Sequence, residues 1–430
     1  MKKVLIVSDF FFPSANIAAV RPSKIAKRLT ADGYCVDVFT RYPIGEGADE
    51  YCNKCFSFQS GSALEIMKKE DSAERTGVKK ILFEKFNFLY MSLLKIKSSL
   101  QTKRKNEQMF DAFKDFVAKN PQNYDVVFTT FGPLGSLLCG MYYKQKFPQI
   151  KWICDFRDPA VVSQHGFLKN VSLKIKEQKS CKLADEIVTV SNGYMKRICG
   201  NKYTEKRHMI PNGYDRADMV YSSEKSENSD KLSLAYVGVL YGFMRDIRPV
   251  FRAIKELVDE GLADKDKICI NYAGADYNTV LAQAKECSAE EFIVTHGVLA
   301  REDCLRLQFG SDMLILATWN TEKECGVFPG KLLEYMLIGK PIVTTVTGDV
   351  PDSEVAQVVR EGNLGTVYEE VNCEADFAKL KEYILTQYKL KVSGKELPFS
   401  PEQLVLDRYN YDTIIKRIEA LIEGSEKING

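Results

Sequence analysis

Histidine is nearly missing from this chain, at 3 of 430 residues. Zinc centres draw on histidine and on paired cysteines. The one Cys-x-x-Cys pair, Cys52 and Cys55, has neither a second pair nor a histidine beside it, so no zinc site is expected. The rest of the 12 cysteines stand singly; that builds no disulfide framework in so long a chain and points to a reducing cytosol. Charge of one sign is lacking too. Lys and Arg number 60 against 58 Asp and Glu, a net charge of +2, which argues against wholesale nucleic-acid binding and confines any basic patch to a local stretch. No apolar run approaches the roughly 18 residues needed to cross a bilayer. The opening MKKVLIVSDFF is broken by Asp9 and reads as a strand, not as a signal.

What is present is the size and alternation of two α/β domains. A chain of 430 residues, 45% hydrophobic and 27% charged, can bury two ordinary cores. Lys3 to Ser8 reads as a strand, Pro22 to Leu29 as a helix and Cys35 to Thr40 as a second strand, which is a βαβ unit. Val126 to Thr130, Trp152 to Asp155 and Ile187 to Val190 continue the series. A second series runs through Leu234 to Gly238, Ile268 to Ala273, Phe292 to Thr295, Met313 to Ala317 and Pro341 to Thr345. Between the two lie the turn signal Ile210-Pro-Asn-Gly-Tyr-Asp215 and the serine-rich run from Ser222 to Lys231. The expected domains are therefore 1–215 and 216–407.

One stretch carries more chemistry than any other: Gly326 to Val343, GVFPGKLLEYMLIGKPIV. Pro329 and Gly330 precede an apolar helix, and Gly339 and Pro341 end it. Glu334 interrupts the apolar run, and a buried carboxylate needs a partner such as a pair of ligand hydroxyls. The helix N-terminus offers unpaired N–H groups, to which Lys331 adds a full charge. An anion and a polyol can meet there, and a sugar nucleotide contains both.

The string Pro-Gly-Lys-Leu-Leu-Glu-Tyr followed by Gly-Lys-Pro resembles the donor-binding helix of glycosyltransferase family 4. The resemblance implies an α/β fold of GT-B type, two Rossmann-like doubly wound domains facing across a cleft. It also implies that a terminal helix, about 408–430, completes the first, acceptor-side domain, and that 216–407 binds the donor. By resemblance, Glu334 holds the nucleotide ribose. The family pattern has an earlier glutamate as well; its position is Gly326 here, and Glu324 stands two residues too early. Backbone around Phe328, Pro329 and Gly330, together with Lys331, is then expected to read the sugar hydroxyls.

The family clamps the donor diphosphate with basic residues after the first strand of the second domain. Its usual Gly-Arg-Leu is Gly238-Val239-Leu240 here, which leaves Arg245, beyond the glycine turn, as the substitute. A guanidinium binds two phosphate oxygens at once. The alternative leaves Arg245 solvated at a helix start, where positive charge is unhelpful. Val298 and Leu299, at a strand end, are expected beside the nucleotide base, with Thr318 facing the same cleft. The only strict Asp-x-Asp, Asp264-Lys-Asp266, reads as a charged loop. Departing charge thus falls to Arg245, Lys331 and the helix N-terminus, with no metal and no cofactor apart from the nucleotide-diphosphate sugar itself.

In the first domain Asp155, Arg157 and Asp158 directly follow an apolar strand, at the edge where open α/β sheets bind ligands. Either they carry chemistry, or Asp155 caps the turn and Arg157 pairs with Asp158. Ser14, Asn16, Gly132 and His165 occupy neighbouring loops and are expected on the acceptor side. Residues 79–105 carry eight basic residues and one acid among apolar ones. That stretch either lies on an anionic membrane or packs on the first domain with a solvated basic face.

The expected function is a metal-independent glycosyltransferase, for which the family resemblance implies retention of anomeric configuration. It would move a sugar from a nucleotide diphosphate to a hydroxyl of a carbohydrate or lipid-linked acceptor in bacterial surface polysaccharide synthesis, in the cytoplasm or at the inner face of the membrane. A nucleotide-sugar epimerase of similar fold and a catalytically silent partner subunit are the alternatives.

Overall fold

The computed structural model describes residues 1–14, 16–45, 47–59, 87–120, 124–132, 134–162, 166–218 and 230–424, with backbone alone for 87–101 and Phe243. The linker run from Ser222 and His165 therefore fall largely or wholly outside the described residues, and the basic stretch 79–105 does so for all side chains before 102.

The first sheet contains β1 (Lys3–Val7), β2 (Cys35–Thr40), β3 (Lys54–Ser57), β4 (Val126–Phe131), β5 (Lys151–Phe156), β6 (Glu186–Thr189) and β7 (Arg207–Met209). Their order is β3-β2-β1-β4-β5-β6-β7, and the pairings are parallel. A strand covered on both faces is predominantly apolar, and VVFTTF of β4 is buried at every position, its two threonines included. The second sheet contains β8 (Leu232–Val237), β9 (Ile268–Ala273), β10 (Ile293–Thr295), β11 (Met313–Trp319), β12 (Ile342–Thr347) and β13 (Gly365–Glu369), in the order β10-β9-β8-β11-β12-β13, again parallel. In each sheet the strand order reverses once, between β1 and β4 and between β8 and β11, with all strands parallel. At such switch points the loops leaving the strands' carboxyl ends open a crevice.

Two apolar clusters flank the second sheet. One packs the helices Arg248–Asp259 and Cys373–Val392 on it; the other seats Leu332, Leu333, Tyr335 and Met336 of the helix Gly330–Ile338 against Leu314, Leu316 and Ile342. The chain divides into two compact units: Met1–Val190 with Met195–Ile210 and Ile415–Gly430, and Ser191–Tyr194 with Pro211–Ile414. The terminal helix Tyr411–Glu423 is tied into the first unit where Lys2 Nζ donates to Ile422 O (2.8 Å), Tyr34 Oη to Glu423 Oε1 (3.0 Å) and Arg417 to Met209 O (2.6 Å).

The first helix begins earlier than its proline suggests. It spans Ile17–Ala31 with Pro22 inside it, and Asn16 caps it, its side chain accepting from Ala18 N at 2.9 Å. Among the described residues no helix is long and apolar enough to cross a membrane.

Candidate functional site

The densest site chemistry lies in the second unit, at the turn leaving β8. Val237 ends the strand, and Gly238 takes φ +123°, a conformation that disfavours side chains. A Cβ on Gly238 would also stand 2.2 Å from Lys331 Nζ, so this glycine makes room for the ammonium. The turn is pinned on several sides. Gly238 N donates to Ala273 O (2.7 Å), Tyr272 Oη to Gly238 O (3.1 Å), Tyr236 Oη to Val239 O (3.0 Å) and Leu240 N to Asp276 Oδ2 (2.9 Å).

Lys331 reaches this turn from the first turn of the helix Gly330–Ile338, an end that no side chain caps. Its Nζ is buried, lies 5.0 Å from the centre of the Tyr236 ring and has no hydrogen-bond partner among the described residues. Burial pulls its pKa down to about 8, with Arg245 adding repulsion and Glu334 opposing both. Arg245 sits on the other side of the turn. Its guanidinium lies 4.7 Å from the Tyr241 ring centre and 5.7 Å from that of Trp319. One terminal nitrogen donates to Val239 O at 2.9 Å, while Nε is buried without a hydrogen-bond partner among the described residues. A buried ammonium and a half-buried guanidinium thus stand beside a glycine turn and an uncapped helix N-terminus, an arrangement whose chemistry suits an anion.

Glu334, one turn along the same helix, is 2.6 Å from Arg301, whose side chain is 73% exposed. The carboxylate's partner is thus a solvent-exposed side chain, and such a pair is weak. No sequence signal pointed to Arg301. Glu324 is buried and accepts from Trp319 Nε1 at 3.2 Å, and Trp319 meets Tyr241 edge-on at 6.3 Å. This places Glu324 near the aromatic face that holds Arg245. Thr318 is fully buried, its hydroxyl unpartnered among the described residues.

The reason for a glycine at 326 is geometric. Its φ is +81°, and a Cβ would stand 2.6 Å from Gly193 Cα and 2.7 Å from Tyr194 N, so no glutamate fits there without moving backbone. Ser191 Oγ donates to Gly326 O (2.7 Å), and the Glu354 carboxylate accepts from Asn192 N (2.8 Å) and Gly193 N (2.6 Å), which fixes this crossing. Phe328 stacks on Tyr409 at 5.2 Å and Pro329 is buried, whereas Gly330 is exposed with open space at its Cβ position. Val298 is 77% exposed and Leu299 half-buried in the loop after β10.

In the first unit Asp155 proves to be structural in its contacts. It is fully buried, and Arg21 grips it with Nε at 3.0 and 3.2 Å and a terminal nitrogen at 2.9 Å, while Thr130 donates at 2.9 Å. The same Arg21 donates to Ile210 O at 3.0 Å. Of the two readings of Asp155, the contacts show an ion pair with Arg21 in place of a turn cap, and its carboxylate is not exposed to solvent. Arg157 lies over Gly132, where a Cβ would be 2.5 Å from its guanidinium, and is 3.5 Å from the more exposed Asp158. Ser14 Oγ accepts from Asn16 N at 3.3 Å, and Asn16 is occupied as the helix cap. A second buried pair, Asp9 with Arg41 at 2.5 Å, was not foreseen; burial raises the Asp9 pKa, against the pull of Arg41. Among the described residues no group of three or more His, Cys, Asp or Glu could hold a metal ion.

No family model matches this sequence, and no curated protein matches it. Solved structures do match over the whole chain. The apo structure of OtsA is similar with TM-score 0.60 and 10% identity over 100% of each chain. The apo form of the lipopolysaccharide outer core galactosyltransferase WaaB is similar with TM-score 0.57 and 12% identity over 99% of each chain. A putative UDP-N-acetylglucosamine 2-epimerase from Listeria monocytogenes is similar with TM-score 0.53 and 12% identity over 98% of this chain and 96% of that one. At such identities the likeness is one of fold: two Rossmann-like parallel-sheet units of the GT-B type.

Proposed function

We propose that this chain is a family 4 glycosyltransferase that moves a sugar from a nucleotide diphosphate to a hydroxyl acceptor. The observation that carries the reading is the buried ammonium of Lys331 and the half-buried guanidinium of Arg245, whose Nε is buried, set around Gly238 beside the helix N-terminus at Gly330. A diphosphate between them relieves the desolvation of both and their mutual repulsion. Charge on the leaving diphosphate grows as the glycosidic bond breaks, so cations already fixed in place stabilise the transition state more than the ground state. On this reading the reaction needs no metal and no further cofactor.

Glu334 then accepts from the ribose hydroxyls once Arg301 swings aside, and Val298 and Leu299 border the base. With Gly326 closed to any side chain, Glu324 is the carboxylate nearest in sequence that can serve the sugar, alongside the exposed backbone at Gly330. Retention of anomeric configuration and a lipid-linked or growing polysaccharide acceptor belong to the same reading. Arg157 and Asp158 stand at the carboxyl edge of the first sheet and are its acceptor-side candidates, as are Ser14, Asn16 and Gly132. A bacterial, cytoplasmic setting follows the same reading.

The test is incubation with a panel of nucleotide sugars, with and without chelator, measuring released nucleoside diphosphate. Release that depends on an added acceptor and survives chelation supports transfer. The epimerase likeness of fold supplies a second outcome: conversion of the donor sugar with no acceptor present would replace the transfer reading. If no nucleotide sugar binds or raises the melting temperature, both fail.

A further inference from the structure

The helix Phe167–Leu183 wears its apolar face outward. Phe167, Leu168, Val171 and Ile175 are 81, 82, 42 and 64% exposed, while Glu177, Ser180 and Cys181 are its buried positions. Four-residue spacing puts Phe167, Val171 and Ile175 on one stripe with Leu168 beside it. A helix that packs only for its own stability would turn this stripe inward.

The exposed charges of the helix itself have one sign. The only acid of the helix, Glu177, is buried and committed: Lys174 Nζ donates to it at 2.6 Å and Ala160 N at 3.0 Å. Lys169, Lys176, Lys179 and Lys182 remain, and Lys179 and Lys182 are exposed beyond the apolar stripe. We propose that this face docks on an anionic lipid bilayer, with Phe167, Leu168, Val171 and Ile175 in the headgroup–acyl boundary and the lysines against lipid phosphates.

Charge decides between a bilayer and a second copy of the chain. A two-fold contact brings the same patch to itself. Helices paired antiparallel would lay Phe167 and Leu168 against Lys179 and Lys182, and helices paired parallel would oppose lysine to lysine. A negative membrane surface satisfies both halves of the helix at once. The helix also begins in the loop that leaves β5 and carries Arg157 and Asp158, so docking would bring the carboxyl edge of the first sheet to the lipid. This assigns a membrane surface to Phe167–Leu183, independently of residues 79–105, and it does not rest on the transfer reading.

The experiment is sedimentation of the full chain with vesicles of phosphatidylcholine alone or mixed with phosphatidylglycerol, at low and high salt. The wild type is expected to pellet with the anionic vesicles only and to be released by salt. The triple variant Phe167→Ser, Leu168→Ser, Ile175→Ser is expected to lose roughly tenfold or more in vesicle affinity, with melting temperature and nucleotide-sugar binding unchanged. Three results would overturn the proposal: a wild type that stays in the supernatant, a triple variant that binds as the wild type does, or self-association in lipid-free buffer that the triple variant abolishes.

Discussion

Lys331 Nζ occupies the space beside Gly238: a Cβ on that glycine would come within 2.2 Å of it. The relationship joins the turn after β8 to the first turn of a helix almost a hundred positions later. It leaves an ammonium buried with no hydrogen-bond partner among the described residues. Gly238→Ala is therefore expected to displace Lys331 and to strain a backbone at φ +123°. Nucleotide-sugar affinity should fall at least tenfold with the chain still folded, as titration calorimetry and a melting curve would show together.

Lys331→Met separates stability from binding. Methionine keeps the length of the side chain and removes an uncompensated buried charge, so the ligand-free protein should gain on the order of 2 kcal/mol. Donor affinity should fall in the same variant. A denaturant titration checks the first effect and calorimetry the second.

The pH dependence follows from the depressed Lys331 pKa of about 8. A bound diphosphate favours the charged ammonium and raises that pKa. Donor affinity should be constant below about pH 8 and decline as pH rises from there toward the bound-state value. Stability without ligand moves the other way: the unfolded chain holds the proton more tightly, so unfolding free energy should rise with pH above about 8 until the lysine of the unfolded chain titrates. The Lys331→Met variant should lose both trends.

Glu334 and Arg301 form an exposed-side pair worth roughly 0–1 kcal/mol. Arg301→Ala should leave donor affinity unchanged or improve it a few-fold, because it frees the carboxylate. Glu334→Gln should weaken nucleotide binding about tenfold through loss of charged acceptors. Calorimetry with a nucleoside diphosphate alone distinguishes this loss from one at the sugar.

Asp155→Asn leaves Arg21 buried against a neutral partner. Breaking a buried ion pair on one side costs about 3–5 kcal/mol, so the variant should melt well below the wild type. Asp158→Asn, at a more exposed position, should leave the melting temperature nearly unchanged.

The alternation of apolar strands with helices was legible in the sequence because strands of a covered parallel sheet read as near-continuous apolar runs. The short edges β3 and β7 were not, since Lys54–Ser57 and Arg207–Met209 carry no apolar run to mark them. Pro22 suggested a helix start, whereas Asn16 supplies the cap that sets it. The motif around Lys331 and Glu334 marked the helix Gly330–Ile338 with its ends. What it left out were contacts made by folding: Arg21 on Asp155, Arg301 on Glu334, and the Gly193 backbone against Gly326, which explains an absent glutamate that the local pattern could only record. The outward apolar face of Phe167–Leu183 also escaped notice, because a pattern of apolar residues does not tell which side of a helix meets the sheet.

The most direct measurement is calorimetric titration of the wild type and Lys331→Met with a panel of nucleotide-diphosphate sugars in the presence of chelator. The account requires one donor to bind the wild type without metal and to lose at least tenfold in affinity in the variant. Equal affinities in the two proteins, or no binding of any donor to the wild type, would contradict it.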